Sequence, residues 1–227
     1  MAEITFNDAA TATSVPSGGD LLALLADLKA EIGTTETVAD ALLLAKLGES
    51  SRRAESAQGC GRELARRTGI IEFPRTPGIW GVQTLRLRRF PIEAITSIIQ
   101  LYSPGTDADF LAEEALVEDE DFLVDYEHGT IDRIGNVWRC DRPRMIQVEY
   151  AGGYLDPSTS PVPAGAILPP ADLQHGVILD AIALWRQGPL AGISSVSTPG
   201  AGSASLGPLE LHPNLKLACE RLRRMEI

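Results

Sequence analysis

Six carboxylates crowd one short stretch of this chain, Glu113, Glu114, Glu118, Asp119, Glu120 and Asp121. Ranged around a cation, such a group would supply hard oxygen ligands; set as a pair across a substrate, two of them would work as acid and base. The calcium-loop pattern needs ligands at alternate positions followed by glycine, and this stretch lacks it. A solvated acidic loop leading into a strand is the simpler reading. The three histidines are scattered, His128 in a turn, His175 on a helix near Asp172, and His212 beside Pro213. None falls in an H-x-x-x-H or H-E-x-x-H pair, the spacing that sets two imidazoles on one helix face toward a metal. No serine sits in G-x-S-x-G, and the glycines match neither the phosphate-loop nor the dinucleotide pattern. Gly59-Cys60-Gly61 reads as a helix stop with a small buried thiol rather than a nucleophile turn. The chain is therefore expected to be no enzyme, with no catalytic, cofactor-binding or metal-binding residue.

The remaining charged groups point to surfaces. Arg86, Arg88 and Arg89, with Arg62, Arg66 and Arg67, can form a basic face in a protein whose net charge is −11. Phosphate contacts need clustered cations without such an acid excess, so pairing with carboxylates of the same or a neighbouring subunit is the better use of these arginines. Arginine outnumbers lysine 17 to 3. Its planar fork suits protein interfaces, and the bias points to protein partners.

The elements that must position these groups follow from periodicity. Phe122, Val124 and Tyr126 alternate with Leu123 and Asp125, Gly129 supplies a tight turn, and Ile131 to Ile134 returns, so residues 122–134 read as a hairpin. Ile146, Val148 and Tyr150 alternate with Gln147 and Glu149 in another strand. Leu85 and Leu87 alternate with Arg86 and Arg88, Ile95 to Tyr102 is rich in β-branched residues, and Ile70 to Phe73 suggests a further strand. Ser103-Pro104-Gly105-Thr106 reads as a turn. Five or six strands between Thr84 and Tyr150, with short connections, predict an antiparallel meander or small sandwich. Helices flank this region. Leu21, Leu24, Leu25, Leu28 and Ile32 predict one from an Asp20 cap to a Gly33 stop, and Val38 to Ala57 a second that ends at Gly59-Cys60-Gly61. Leu173, Val177, Ala181, Leu184 and Trp185 predict a third over 169–188, opened by Pro169-Pro170. Residues 1–19 read as a flexible arm, 188–208 as a Gly/Ser/Ala/Pro linker, and Asn214 as the cap of a final short helix.

At 227 residues and 44% hydrophobic, the chain can bury a substantial core. No apolar run reaches the roughly 20 residues of a membrane span, and Met1-Ala2-Glu3-Ile4 does not begin a signal peptide. Cys60, Cys140 and Cys219 form no C-x-x-C pair, which predicts reduced thiols. The predicted class is α+β, with N- and C-terminal helices forming a small bundle, an inserted antiparallel β region, and an extended C-terminal tail. As domains this divides into the arm 1–19, a body 20–188 and a linker with tail helix 189–227.

The joint order of several loose motifs resembles one family. Cys60-Gly61-Arg62, Leu87 to Ile92 followed by Ile95-Thr96-Ser97-Ile98, Asp121 to Tyr126, Met145 to Tyr154, Pro169-Pro170-Ala171-Asp172-Leu173 and Leu184-Trp185-Arg186 together resemble the head-to-tail connector, or adaptor, proteins of long-tailed phages and phage-derived gene transfer particles. The likeness covers residues 20 to 188 and lies in turns, strand ends and the Trp-bearing helix. It implies a ring of twelve copies beneath the portal, in the neck of a virion or phage-like particle assembled in the bacterial cytoplasm. Such a ring extends the DNA channel, lets DNA pass without sequence-specific binding, and docks stopper or tail-terminator proteins. The tail beyond Gly188 departs from the pattern. Its residues Leu209, Leu211, Leu215, Leu217, Arg221 and Arg224 are the expected portal contact. Two other classes remain open at this point: a hydrolase built on the acidic loop and the His128 hairpin, and a monomeric β-sheet binding module.

Overall fold

The first helix stops where the sequence says it must, because Gly33 takes the left-handed conformation (φ 78°) and its N–H turns back onto the Ala30 and Lys29 carbonyls. In this computed structural model the described residues are 20–74, 81–101, 115–138, 144–187, 195–198, 202–205 and 210–223. The expected N-terminal arm, the turn at 103–106, Glu113, Glu114, Cys140, Leu209 and Arg224 lie outside them. The class is α+β as the patterning predicts. Four helices, α1 (Leu25–Ile32), α2 (Asp40–Glu55), α3 (Ala171–Gln187) and α4 (Pro213–Arg223), accompany strands β1 (Arg67–Glu72), β2 (Thr84–Arg86), β3 (Ile92–Gln100), β4 (Phe122–Asp125), β5 (Thr130–Arg133) and β6 (Ile146–Gly152). A further hairpin, β7 (Ser195–Thr198) with β8 (Gly202–Ser205), falls in the stretch whose composition reads as a linker.

The strands do not run as a meander. They form two antiparallel three-stranded sheets, one ordered β1-β6-β3 and the other β2-β5-β4. In the first, β6 comes last in sequence and inserts between its two partners, because it alone buries alternate side chains along its full length. A central strand pairs on both edges and needs one consistent inner face. Ile146, Val148 and Tyr150 supply that face, and all three are fully buried. The second sheet shares the same core: Leu85, Phe122 and Ile131 meet Trp138, whose indole N–H donates to the Ile131 carbonyl at 3.1 Å. This core is separate from the helical one.

The helical core gathers Leu28, Leu43, Leu47, Leu173, Val177, Ala181 and Leu215. Two boundaries differ from the periodic reading. Asp20 does not cap α1; the helix begins five residues later, and Leu22 and Ala23 enter the core in a bend ahead of it while Asp20 pairs with Arg67 at 2.6 Å. Burial of two apolar side chains outweighs one exposed cap. Asn214 does not cap α4 either. Pro213 takes the first helical position, and the His212 ring accepts the Asn214 N–H at 3.3 Å. The sequence pattern treats α4 as a separate tail, yet its inner residues Leu215, Ala218 and Cys219 are built into the same core as α1 to α3. Gly176 makes this possible: a Cβ there would lie 2.8 Å from the Leu215 Cα, so α3 and α4 meet backbone to backbone.

Candidate assembly surfaces

A partly buried set of polar groups joins helices to sheets. The Glu55 carboxylate, at the end of α2, accepts the Leu64 and Ala65 N–H groups at 2.7 and 2.8 Å. Arg62 then reaches across to the sheet, donating to the His128 carbonyl at 2.9 Å and the Leu87 carbonyl at 2.6 Å while its guanidinium stacks 4.0 Å above the Phe90 ring. Gly129 sits under this contact with φ 66°; a Cβ would come within 2.7 Å of Arg62 Nη2 and 2.8 Å of Phe90 Cβ. The turn glycine read from the sequence thus serves a packing contact too.

The arginines divide by what they touch. Arg66 forks onto Glu93 at 2.7 and 3.0 Å, Arg67 pairs with Asp20, and Arg89 pairs with Glu63 and the Ala65 carbonyl. Those pairs are the intramolecular use that the acidic balance predicts. Arg86 and Arg88 differ: both are exposed, and their side chains make no hydrogen bond or ion pair among the described residues. With Glu55, Gly61, Arg62, Glu63 and Leu87 they line a groove of about 340 Å³ beside β2.

The carboxylates divide in the same way. Asp121 accepts the Val117 N–H at 3.0 Å and pairs with Arg133, and Glu118 accepts the Tyr126 hydroxyl at 2.7 Å. Burial and that Glu118 carboxylate push the Tyr126 phenol up to about 12. Asp119 and Glu120, at the crest of the turn before β4, are exposed and unpaired among the described residues. His128 turns back onto Asp125, its N–H donating to Oδ1 at 3.0 Å. Burial pushes the Asp125 carboxyl up, but the hydrogen bonds from the His128 backbone and ring outweigh it and hold the carboxyl below its ordinary range. His175 stands on α3 and His212 just ahead of α4. Among the described residues no group of three or more His, Cys, Asp or Glu side chains could hold a metal ion, and no helix is long and apolar enough to cross a membrane.

The residues expected at a portal contact are split by the fold. Leu215 is fully buried and Leu211 is 9% exposed, both in the helical core, so neither side chain is free to meet a partner. Leu217 is 50% exposed on the outer side of α4, and Arg221 is exposed and paired with Asp172 at 3.1 Å. Two groupings escaped the sequence reading. Cys60 and Cys219 come together against the Ala54 carbonyl, which accepts the Cys60 N–H at 2.6 Å and the Cys219 thiol at 3.7 Å. Asp180, wholly buried on α3, is held by Arg53 of α2. An aspartate on the inner arc of an apolar helix was the available signal.

No protein-family profile matches the sequence, and no curated protein matches it. Solved structures do. A chain in the neck of an empty gene transfer agent (GTA) particle, computed with C6 symmetry, is 18% identical, with TM-score 0.51, covering 93% of this chain and 92% of that one. Chains of the native GTA particle's neck, computed with C12 symmetry, and of the native GTA virion score 0.49 and 0.48 at 20% and 19% identity, covering 93% of this chain and 92% and 93% of theirs. The first of these, a chain of a gene transfer agent neck, shares this chain's fold, in keeping with the resemblance that the motifs between residues 20 and 188 show.

Proposed function

We propose that this chain is a structural adaptor of a phage or phage-like particle, forming a ring in the neck that extends the DNA channel below the portal and docks stopper or tail proteins. One observation carries the reading: along 93% of its length the chain has a fold similar, at TM-score 0.51, to a chain in the neck of a GTA particle. The net charge of −11 supports it, because an acidic lumen lets DNA slide without adhering. So does the division of the surface into unpaired arginines and unpaired carboxylates, since a closed ring needs two different complementary patches on each copy. Twelve copies is the ring size proposed. The outer side of α4, Leu217 with Arg221, is proposed as the portal contact, Leu211 and Leu215 being committed to the core.

Electron microscopy of portal-bearing capsids incubated with the purified protein tests this directly. A new ring of density at the single portal vertex is the expected result. Capsids that stay bare while the protein is folded overturn it. Leu217→Asp combined with Arg221→Glu is expected to abolish the ring while leaving the circular dichroism spectrum unchanged; normal rings from that variant would remove α4 from the portal contact.

A further inference from the structure

We infer that the groove beside β2 is the socket for the acidic turn of a second copy of this chain, so that Arg86 and Arg88 of one subunit receive Asp119 and Glu120 of the next. This rests on the ring reading above and identifies which faces join.

The groove carries positive charge that no ion pair or side-chain hydrogen bond takes up among the described residues, although the Arg88 charge also acts on the nearby Glu72 carboxylate. Its two carboxylates are already occupied, Glu55 by the Leu64 and Ala65 N–H groups and Glu63 by Arg89. Arg62 is likewise engaged, by the His128 and Leu87 carbonyls and the Phe90 ring. Arg86 and Arg88 remain exposed on the groove's rim without a side-chain partner among the described residues. In a chain carrying eleven more acidic than basic groups overall, two neighbouring arginines in no ion pair mark a place where the local balance is basic.

The acidic turn is the complementary feature. Asp119 and Glu120 are exposed and unpaired among the described residues, and they stand beside Val117 and Leu123, apolar side chains 51% and 50% exposed. A charged pair with an apolar flank is the make-up of an interface rim and centre. The turn is braced: the Asp119 N–H donates to the Phe122 carbonyl at 2.9 Å and the Asp121 N–H to the Val117 carbonyl at 2.8 Å. Little ordering cost then attends its insertion.

Topology prevents the two features from meeting within one chain. In the sheet ordered β2-β5-β4 they lie on opposite edge strands, two strand spacings or about 10 Å apart. They also lie at opposite ends, since Arg86 is in register with Thr130 and Asp125 at the turn end, while the acidic crest precedes Phe122, which pairs with Arg133 at the other. A plug and a socket on opposite corners of one rigid sheet give a heterologous, head-to-tail contact, the kind that closes into rings.

Charge reversal tests this in the full chain, with occupancy of the portal vertex on capsids as the readout. Arg86→Glu with Arg88→Glu turns the socket acidic; Asp119→Asn with Glu120→Arg turns the plug basic. Each variant alone places like charges together and is expected to lower ring occupancy about tenfold or more. An equal mixture of the two restores opposite charges at every junction of an alternating ring, and occupancy within about twofold of the native protein is expected. Unfolding by either pair of substitutions could not be rescued by mixing. Rings that form normally from each variant alone, or a mixture that stays as poor as its components, overturn the socket while leaving the ring reading standing. Loss of DNA retention on the arginine variant without loss of rings overturns it in favour of phosphate binding. If the native protein forms no ring, both readings fall.

Discussion

Arg53 on α2 holds both carboxylate oxygens of Asp180 on α3 through one guanidinium nitrogen, at 3.1 and 3.0 Å, and Asp180 is wholly buried. The same carboxylate accepts the His212 N–H at 2.9 Å, so a single aspartate ties α2, α3 and the start of α4 together. Removing Asp180 takes a buried acceptor away from the partly exposed Arg53 and from the His212 N–H. Asp180→Ala is expected to cost about 1.5–3 kcal/mol in urea unfolding. A loss below about 1 kcal/mol would show that the pair adds nothing to the packing around it.

Gly176 is the point where α3 touches the backbone of α4 at Leu215. Gly176→Ala improves helix propensity in isolation, yet the added methyl must force the two helices apart, and a net loss of about 1–3 kcal/mol is expected. Gain of stability in thermal melts would mean that α4 does not pack as described.

Glu72 lies against the buried Tyr150, whose hydroxyl donates to it at 2.7 Å. Burial pushes the Glu72 carboxyl above its ordinary range, against the hydrogen bonds from Tyr150 and the Arg88 N–H, which pull it down. A raised carboxyl favours the fold below the unfolded pKa of about 4.5 and loses that contribution as pH rises through the folded value. Glu72→Gln is therefore expected to raise the melting temperature at pH 7 and to leave it level with the native protein near pH 4. A variant that melts lower at pH 7 would show the charged form to be the favoured one.

Cys60 and Cys219 are buried at 2% and 1% exposure. The thiol of Cys60 is pushed up by its hydrogen bond with Cys219 and by burial, whereas the same hydrogen bond lowers Cys219. Burial nevertheless denies a reagent access to either sulfur. In a Cys140→Ser background, both thiols are expected to react with a water-soluble disulfide reagent at least about 100-fold more slowly in native buffer than in 6 M guanidinium, by absorbance kinetics. Fast native labelling of either would place α4 away from the core.

Local chemistry made much of the molecule legible in advance. Alternation marked Ile146, Val148 and Tyr150 as one face of a strand, helical spacing marked Leu173, Val177 and Ala181 as one face of α3, and Gly33 and Gly129 marked a stop and a turn; all hold, because period and positive φ are properties of a few consecutive residues. Which strands pair is not such a property. The place of β6 between β1 and β3, and the split into two sheets, depend on faces meeting across tens of residues. For the same reason Leu215 read as a free contact on a tail and became core, since only the backbone approach at Gly176 reveals what covers it. The basic and acidic runs were visible as composition. Tertiary structure alone decided which of those charges neutralise one another within the chain and which, Arg86 and Arg88 on one edge and Asp119 and Glu120 on the other, are left exposed without partners among the described residues, because pairing is set by distance in space rather than along the chain.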